Sequence, residues 1–307
     1  MKTTLLASTA LVLSVGAAAA ADFTMADTGH DHSITLSGDA RMGMINNDSP
    51  GDSSDIKFTS YDIKFTSRAR VQFTGAGETD GGLGFGFNFR AGDASGADDG
   101  ENGTVFISQG GHTLAMGDVD SAANAAVGQV SGVGLTGLGD NNEVGYDLNG
   151  EAPGALYSYT GGALSFHLSF DGDRDIDGDR DIYGDRDISD GPSVGVAYDA
   201  GTFNVALGWE DDEGDTSWYL GAGVDVGAVA LQGIVADQDG DDFWALSADF
   251  TSGATTFTVF ASDDDGDVAW GLGASHDLGG GASLVAGVVD SDDEDEVIYD
   301  FGVAMTF

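Results

Sequence analysis

Along most of this chain apolar and polar residues take turns, in runs of about seven to fifteen residues bounded by Gly, Asp, Asn or Ser. A period of two sends successive side chains to opposite faces of a strand, so each run predicts a strand with one oily and one wet face. In the last run Val297, Tyr299, Phe301, Val303 and Met305 share one face, and Asp300, Gly302, Ala304 and Thr306 the other, before the aromatic C-terminal residue Phe307. Sixteen strands are predicted, at about 32–46, 62–76, 82–92, 103–109, 112–118, 155–161, 163–170, 192–198, 202–210, 216–226, 229–236, 242–250, 254–262, 268–277, 282–290 and 296–307. No helical period of useful length interrupts them.

A sheet with one apolar face needs somewhere to put it. Residues 1–20 read as a signal peptide, with Lys2 at the start, an apolar stretch from Leu5 to Val15 and small residues from Ala17 to Ala21. Beyond them no segment is long and apolar enough for a spanning helix. If 21–307 enters a membrane it must do so as a closed barrel, because open strand edges cannot be satisfied in hydrocarbon. An even count near sixteen suits a single-chain bacterial barrel. The expected fold is therefore an all-β, transmembrane antiparallel β-barrel of about 16 strands in the cell outer membrane.

The connections also alternate. Short ones such as Asp199-Ala200-Gly201 and Thr251-Ser252-Gly253 suit tight periplasmic turns. Between them lie acidic ones at 211–215, 237–241, 263–267 and 291–295, expected as extracellular loops. Two local duplications, 55–60 with 62–67 and a Gly-Asp-Arg-Asp-Ile unit repeated within 172–188, do not span the fold, so no solenoid is indicated.

Charge narrows the function. Lys and Arg number 10 against 53 Asp and Glu, a net charge of −43, which excludes nucleic-acid binding. There is no cysteine, hence no disulfide and no thiolate metal site. No nucleophile–base constellation is visible, so no enzyme is expected. The scarce cations cluster. In the first three strands Arg41, Arg68, Arg70 and Arg90 all fall opposite the apolar face, predicting a basic strip on the lumen wall.

The segment 117–151 is far longer than the other connections and rich in Gly, Ala and Val, too apolar for a free exterior loop. It is expected to fold into the barrel as a constriction loop, narrowing the lumen and setting acids against the basic strip. The candidate acids are Asp39, Asp118, Asp120, Asp140 and Glu143. A transverse field of this kind orders water and disfavours apolar solutes. His167 should turn to the lumen, and Trp209, Trp218, Trp244 and Trp270 lie where an aromatic belt could form. Among divalent-cation candidates the repeat at 172–188 lacks the Glu that would complete a calcium loop. Asp263 and Asp265 are better placed, for a weak site.

The stretches Leu36–Gly43, Phe65–Thr74, Asp80–Phe85, Gly103–Ser108, Met116–Asp118, Glu143–Tyr146 and His276–Ser283 resemble the Rhodobacter-type general porins of alphaproteobacterial outer membranes. The resemblance runs end to end and is loose over about 171–265. It implies a sixteen-stranded homotrimer, an eyelet formed by the inward loop, passive diffusion of small hydrophilic solutes, and Ca2+ near the eyelet and outer loops. By it, Arg41, Arg68, Arg70 and Arg90 are the positive wall, while Asp118 and Asp120 open the acidic loop and join Asp263 and Asp265 as candidate metal ligands. The expected function is a general porin passing ions and small solutes with a cation preference, embedded in outer-membrane lipid and lipopolysaccharide. The alternative is a plugged, non-conducting acidic surface protein that binds divalent cations.

Overall fold

The computed structural model describes residues 21–23, 32–46, 63–92, 103–148, 154–170, 191–212, 214–292 and 297–307. The proposed leader, the first copy of the 55–60 duplication and the 172–188 repeat lie outside them. Among the described residues there are seventeen strands. A three-residue strand, β1 (Ala21–Phe23), precedes sixteen longer ones: β2 (His32–Ile45), β3 (Lys64–Glu78), β4 (Gly84–Gly92), β5 (Gly103–Gln109), β6 (His112–Gly117), β7 (Gly154–Gly161), β8 (Leu164–Phe170) and β9 (Pro192–Asp199). The second half adds β10 (Phe203–Asp212), β11 (Asp215–Val226), β12 (Val229–Gln238), β13 (Asp241–Ser252), β14 (Thr255–Asp264), β15 (Asp267–Gly279), β16 (Ala282–Ser291) and β17 (Ile298–Thr306).

Each strand from β2 to β17 pairs antiparallel with the next, and β17 returns to β2 with Thr306 opposite Asp39 and Asp300 opposite Ile45. The ring is closed. Every neighbouring ladder is satisfied, the condition for burying backbone in hydrocarbon. β1 pairs with β2 from Leu36 back to Ile34, just past where β17 runs out. All sixteen predicted strands are present, because one lipid face and one water face fix the parity of every run.

The parity is visible along β10, where Phe203, Val205, Leu207 and Trp209 are exposed outward and Ala206, Gly208 and Glu210 are buried within. The aromatic residues form two tiers. Trp209, Trp218, Trp244 and Trp270 each stand three residues from a strand end on the acidic side, while Tyr198, Phe203, Phe250 and Phe257 stand near the opposite turns. That is the girdle pattern of a barrel seated between two interfaces.

One expectation needs correcting. The acidic segments at 211–215, 237–241 and 263–267 are mostly strand, not loop. In two of them the turn is only Asp239-Gly240 or Asp265-Gly266, with φ of 53 and 97° or 47 and 97°. Two consecutive left-handed residues make the hairpin turn whose twist matches the strands, and Asp-Gly is its favoured sequence. The aspartates thus extend the wall upward.

Candidate functional site

Between β6 and β7 the chain enters the barrel. A short helix, α1 (Ala122–Val127), is capped by Ser121, whose hydroxyl accepts from Asn124 N. It lies against β8, β9, β10 and β11. Its first amides donate to inward serines, Ala122 N to Ser169 Oγ and Ala123 N to Ser193 Oγ, both at 2.8 Å. Ser131 N donates to Gln232 Oε1 and Ser247 Oγ at 3.1 Å, and its hydroxyl donates to Asp249 Oδ2 at 2.7 Å. The wall therefore supplies the partners that a buried loop backbone requires.

The tip of the loop spans the seam where the last strand meets the first. Asp300 on β17, 2% exposed, accepts from Leu135 N (2.8 Å), Thr136 N (2.7 Å) and Thr136 Oγ1 (2.8 Å). From β2, Arg41 Nη1 donates to Leu135 O at 3.1 Å. The Leu135 side chain fits where Gly43 and Gly302 face each other in register. A Cβ at either glycine would come within 2.5 or 2.6 Å of Leu135 Cδ2. Small residues elsewhere on the inner wall make similar room, Gly208 for Ala123 and Gly221 for Val127. A track of inward glycines is the footprint of the loop.

The chain turns through Gly137, Leu138, Gly139 and Asp140, all at positive φ, and comes back along its own outbound limb. Gln129 pairs with Val144 through both amide atoms, Asn142 Nδ2 donates to Val130 O, and Tyr146 Oη donates to Gly128 O at 2.6 Å. Over 142–148 burial alternates: Asn142, Val144, Tyr146 and Leu148 turn to the wall, while Glu143, Gly145 and Asp147 are exposed. The return limb therefore has one packed and one solvent-exposed side.

The uncovered arc carries the arginines. Register places Asp39 opposite Arg70, Arg41 opposite Arg68, and Gln72 opposite Arg90 on the inward face. Asp39 therefore belongs to the basic wall and not to an opposing acidic one. Arg70 Nε reaches both of its oxygens at 3.1 and 3.0 Å, and Arg68 Nη2 reaches Oδ1 at 3.3 Å. One carboxylate between two guanidiniums leaves an excess of positive charge. Arg41 and Arg68 face each other directly, and among the described residues the Nε of each is buried without a hydrogen-bond partner.

The remaining predicted acids lie on the loop. Asp118 and Asp120 open it, and partial dehydration, with Asp118 alongside, raises the Asp120 carboxyl above its ordinary range. Asp140 and Glu143 line a polar recess against β14 and β15, with Asp264 and Asp267 on the wall. Dehydration and the neighbouring Asp140 raise Glu143 in the same direction. Two acids outside the expected set also hold the loop. Asp147 accepts from the Ser217 hydroxyl and from Gln238 Nε2 (3.3 Å). Glu210, fully buried, accepts from Tyr219 Oη, Ser193 Oγ and Leu148 N. Their signals in the sequence are an alternation, Glu143-x-Gly145-x-Asp147, and an acid at an inward strand position.

The metal candidates do not converge. Among the described residues no group of three or more His, Asp or Glu side chains is arranged to hold an ion. Asp263 instead accepts from Gly266 N at 3.0 Å and stabilises its turn. These residues do not fit a tightly held divalent cation. His167 lies on the inward face of β8, bonded to Ser158 Oγ at 2.9 Å, as its parity required.

Comparison with known proteins agrees with this architecture. A porin from Rhodobacter capsulatus is 36% identical over 193 residues, spanning 60% of this chain and 58% of that protein's length. A crystal structure of a porin refined at 1.8 Å resolution superimposes with a TM-score of 0.72 at 34% identity, over 89% of this chain and 100% of that one. A variant of a Rh. blastica porin matches in fold, with a TM-score of 0.71 at 22% identity over 89% of this chain and 100% of the other. The Gram-negative porin family matches residues 7–296, and this chain, a non-enzymatic β-barrel of the outer membrane, belongs to that family.

Proposed function

We propose that the barrel is a general diffusion channel for ions and small hydrophilic solutes, and that it prefers cations. The observation that carries this reading is the wet side of the return limb. Glu143, Gly145 and Asp147 are exposed while their neighbours pack on the wall. Solvent along one side of the loop supports a narrowed, water-filled lumen over the non-conducting alternative. The four arginines bear on one arc of the constriction, whereas the acids on the upper strand ends and the loop surround its approach. Because local ion concentration follows the summed field, a net charge of −43 favours cations despite the basic strip. The likeness to porins further supports assembly as a homotrimer in outer-membrane lipid and lipopolysaccharide.

Planar-bilayer recording of the purified protein tests this. A salt gradient should give a zero-current potential of cation-selective sign, and a native gel should show three copies. An anion-selective sign overturns the preference, and an absence of steps overturns the channel itself.

A further inference from the structure

Strand β5 turns an aromatic ring away from lipid. Register sets Phe106 opposite Gly86 and Ala115, and Ala115 opposite Leu156, in one inward row across β4–β7. The flanking Val105 and Ile107 are exposed outward, and Leu156 pairs with Ser169, whose hydroxyl holds the loop at Ala122 N. Phe106 and Leu156 are half-buried and belong to neither of the buried clusters that seat the loop. The Phe106 ring lies across Gly86, which is buried beneath it; a Cβ there would come within 2.6 and 2.8 Å of Phe106 Cζ and Cε1.

A lumen wall is polar by default, so an apolar row on it calls for a reason. Filling the space at Gly86 accounts for the ring but not for Leu156, which stands in for no glycine's missing Cβ. Polar groups edge the row, Asn88 on its extracellular side and Ser108 and Thr113 on its periplasmic side. Their side chains make no hydrogen bond among the described residues. Neither β5 nor β6 contains Lys, Arg, Asp or Glu. The shelf is therefore neutral, with an apolar middle and hydrogen-bonding rims, and it begins two inward positions below Arg90 on β4. A pyranose has the matching anatomy: C–H bonds on the face of its ring, which the negative face of an arene attracts, and hydroxyls round the edge. An ion would be drawn instead to the charged arcs on either side.

We propose that Phe106, Ala115 and Leu156 form a docking shelf for pyranose sugars on the lumen wall, just periplasmic of the basic strip. A sugar ring stacks on Phe106 and extends toward Leu156, about 10 Å away, while its hydroxyls exchange hydrogen bonds with Asn88, Ser108 and Thr113. This role rests on the channel reading and names a solute class for it. Sugars are held briefly as they pass, and the ion current falls while one is bound.

Planar-bilayer recording of the purified protein in constant salt, with added glucose or added mannitol, tests it. Mannitol is an open-chain polyol of the same carbon number, so it matches viscosity and hydrogen bonding without offering a ring face. Glucose should lower the single-channel current saturably, beyond the effect of mannitol. Phe106→Ser should raise the half-saturating glucose concentration about fivefold, and Phe106→Trp should lower it. Heat-modifiable gel mobility verifies that each barrel is closed; should Phe106→Ser fail to close, Leu156→Ser must raise that concentration about twofold. Equal effects of glucose and mannitol, or saturation that survives Phe106→Ser, overturn the proposal. Stronger block by benzoate than by glucose also overturns it, assigning the shelf to organic anions drawn by Arg90. An absence of current steps removes the channel reading as well, whereas steps indifferent to glucose remove the sugar shelf alone.

Discussion

The inner wall has two arcs built on opposite plans. From β8 round to β17 it presents glycine, alanine, serine and buried acids, and the loop lies on it. From β2 to β4 it presents Arg41, Arg68, Arg70 and Arg90, and among the described residues Arg41 alone of these bonds to the loop. On the covered arc the chain gives up side-chain volume so that backbone can approach backbone, and serines, carboxylates and side-chain amides accept from loop amides. On the bare arc it keeps long charged side chains and leaves them underpaired. In the proposed channel, the covered arc would set the width of the passage and the bare arc its field.

Releasing the loop should have the largest effect. Asp300→Ala removes a carboxylate that accepts three hydrogen bonds from the loop tip, and charged hydrogen bonds contribute about 1.5–3 kcal/mol each. Single-channel recordings should show larger, noisier currents while gel mobility reports an intact barrel; wild-type traces would mean that the tip is held elsewhere. Stripping the bare arc comes next. Arg68→Ala with Arg70→Ala should raise conductance and strengthen cation preference, and unchanged currents would remove the strip from the eyelet. Leu135→Ala tests the glycine socket alone. Emptying it costs about 2–5 kcal/mol of packing, partly offset by loop relaxation, so the expected trace lies between wild type and Asp300→Ala.

The smallest effect is with pH. Asp120 and Glu143 are raised above ordinary values of 3.8 and 4.5, so they take up protons before exposed carboxylates do as the solution is acidified. The native loop then holds more protons than the unfolded chain, and its stability rises as pH falls through that window. Cation preference should weaken over the same range, read as a shrinking zero-current potential. A potential that holds steady until the exposed acids titrate would contradict the assignment.

The barrel was legible because lipid and water impose a strict parity. The predicted strands that match β10 to β16 fall short by a residue or two at their acidic ends, as at Asp211-Asp212 and Asp241, because aspartates that continue a wall look like aspartates that leave it. The inward loop was legible from its length and apolar content. Its anchors were harder to foresee. Asp300 lies on the wet face in any alternation, but its three bonds come from residues more than 160 positions away. Asp39 shares the parity of Arg41, and only strand register shows that it neutralises Arg68 and Arg70 in part.

The socket for Leu135 joins positions 43 and 302, nearly the whole length of the polypeptide apart. It does not exist until the terminal strand has docked on the opening one. The seat for the loop tip therefore cannot form before the barrel closes, and a chain that lacks its final strand has nowhere to hold it.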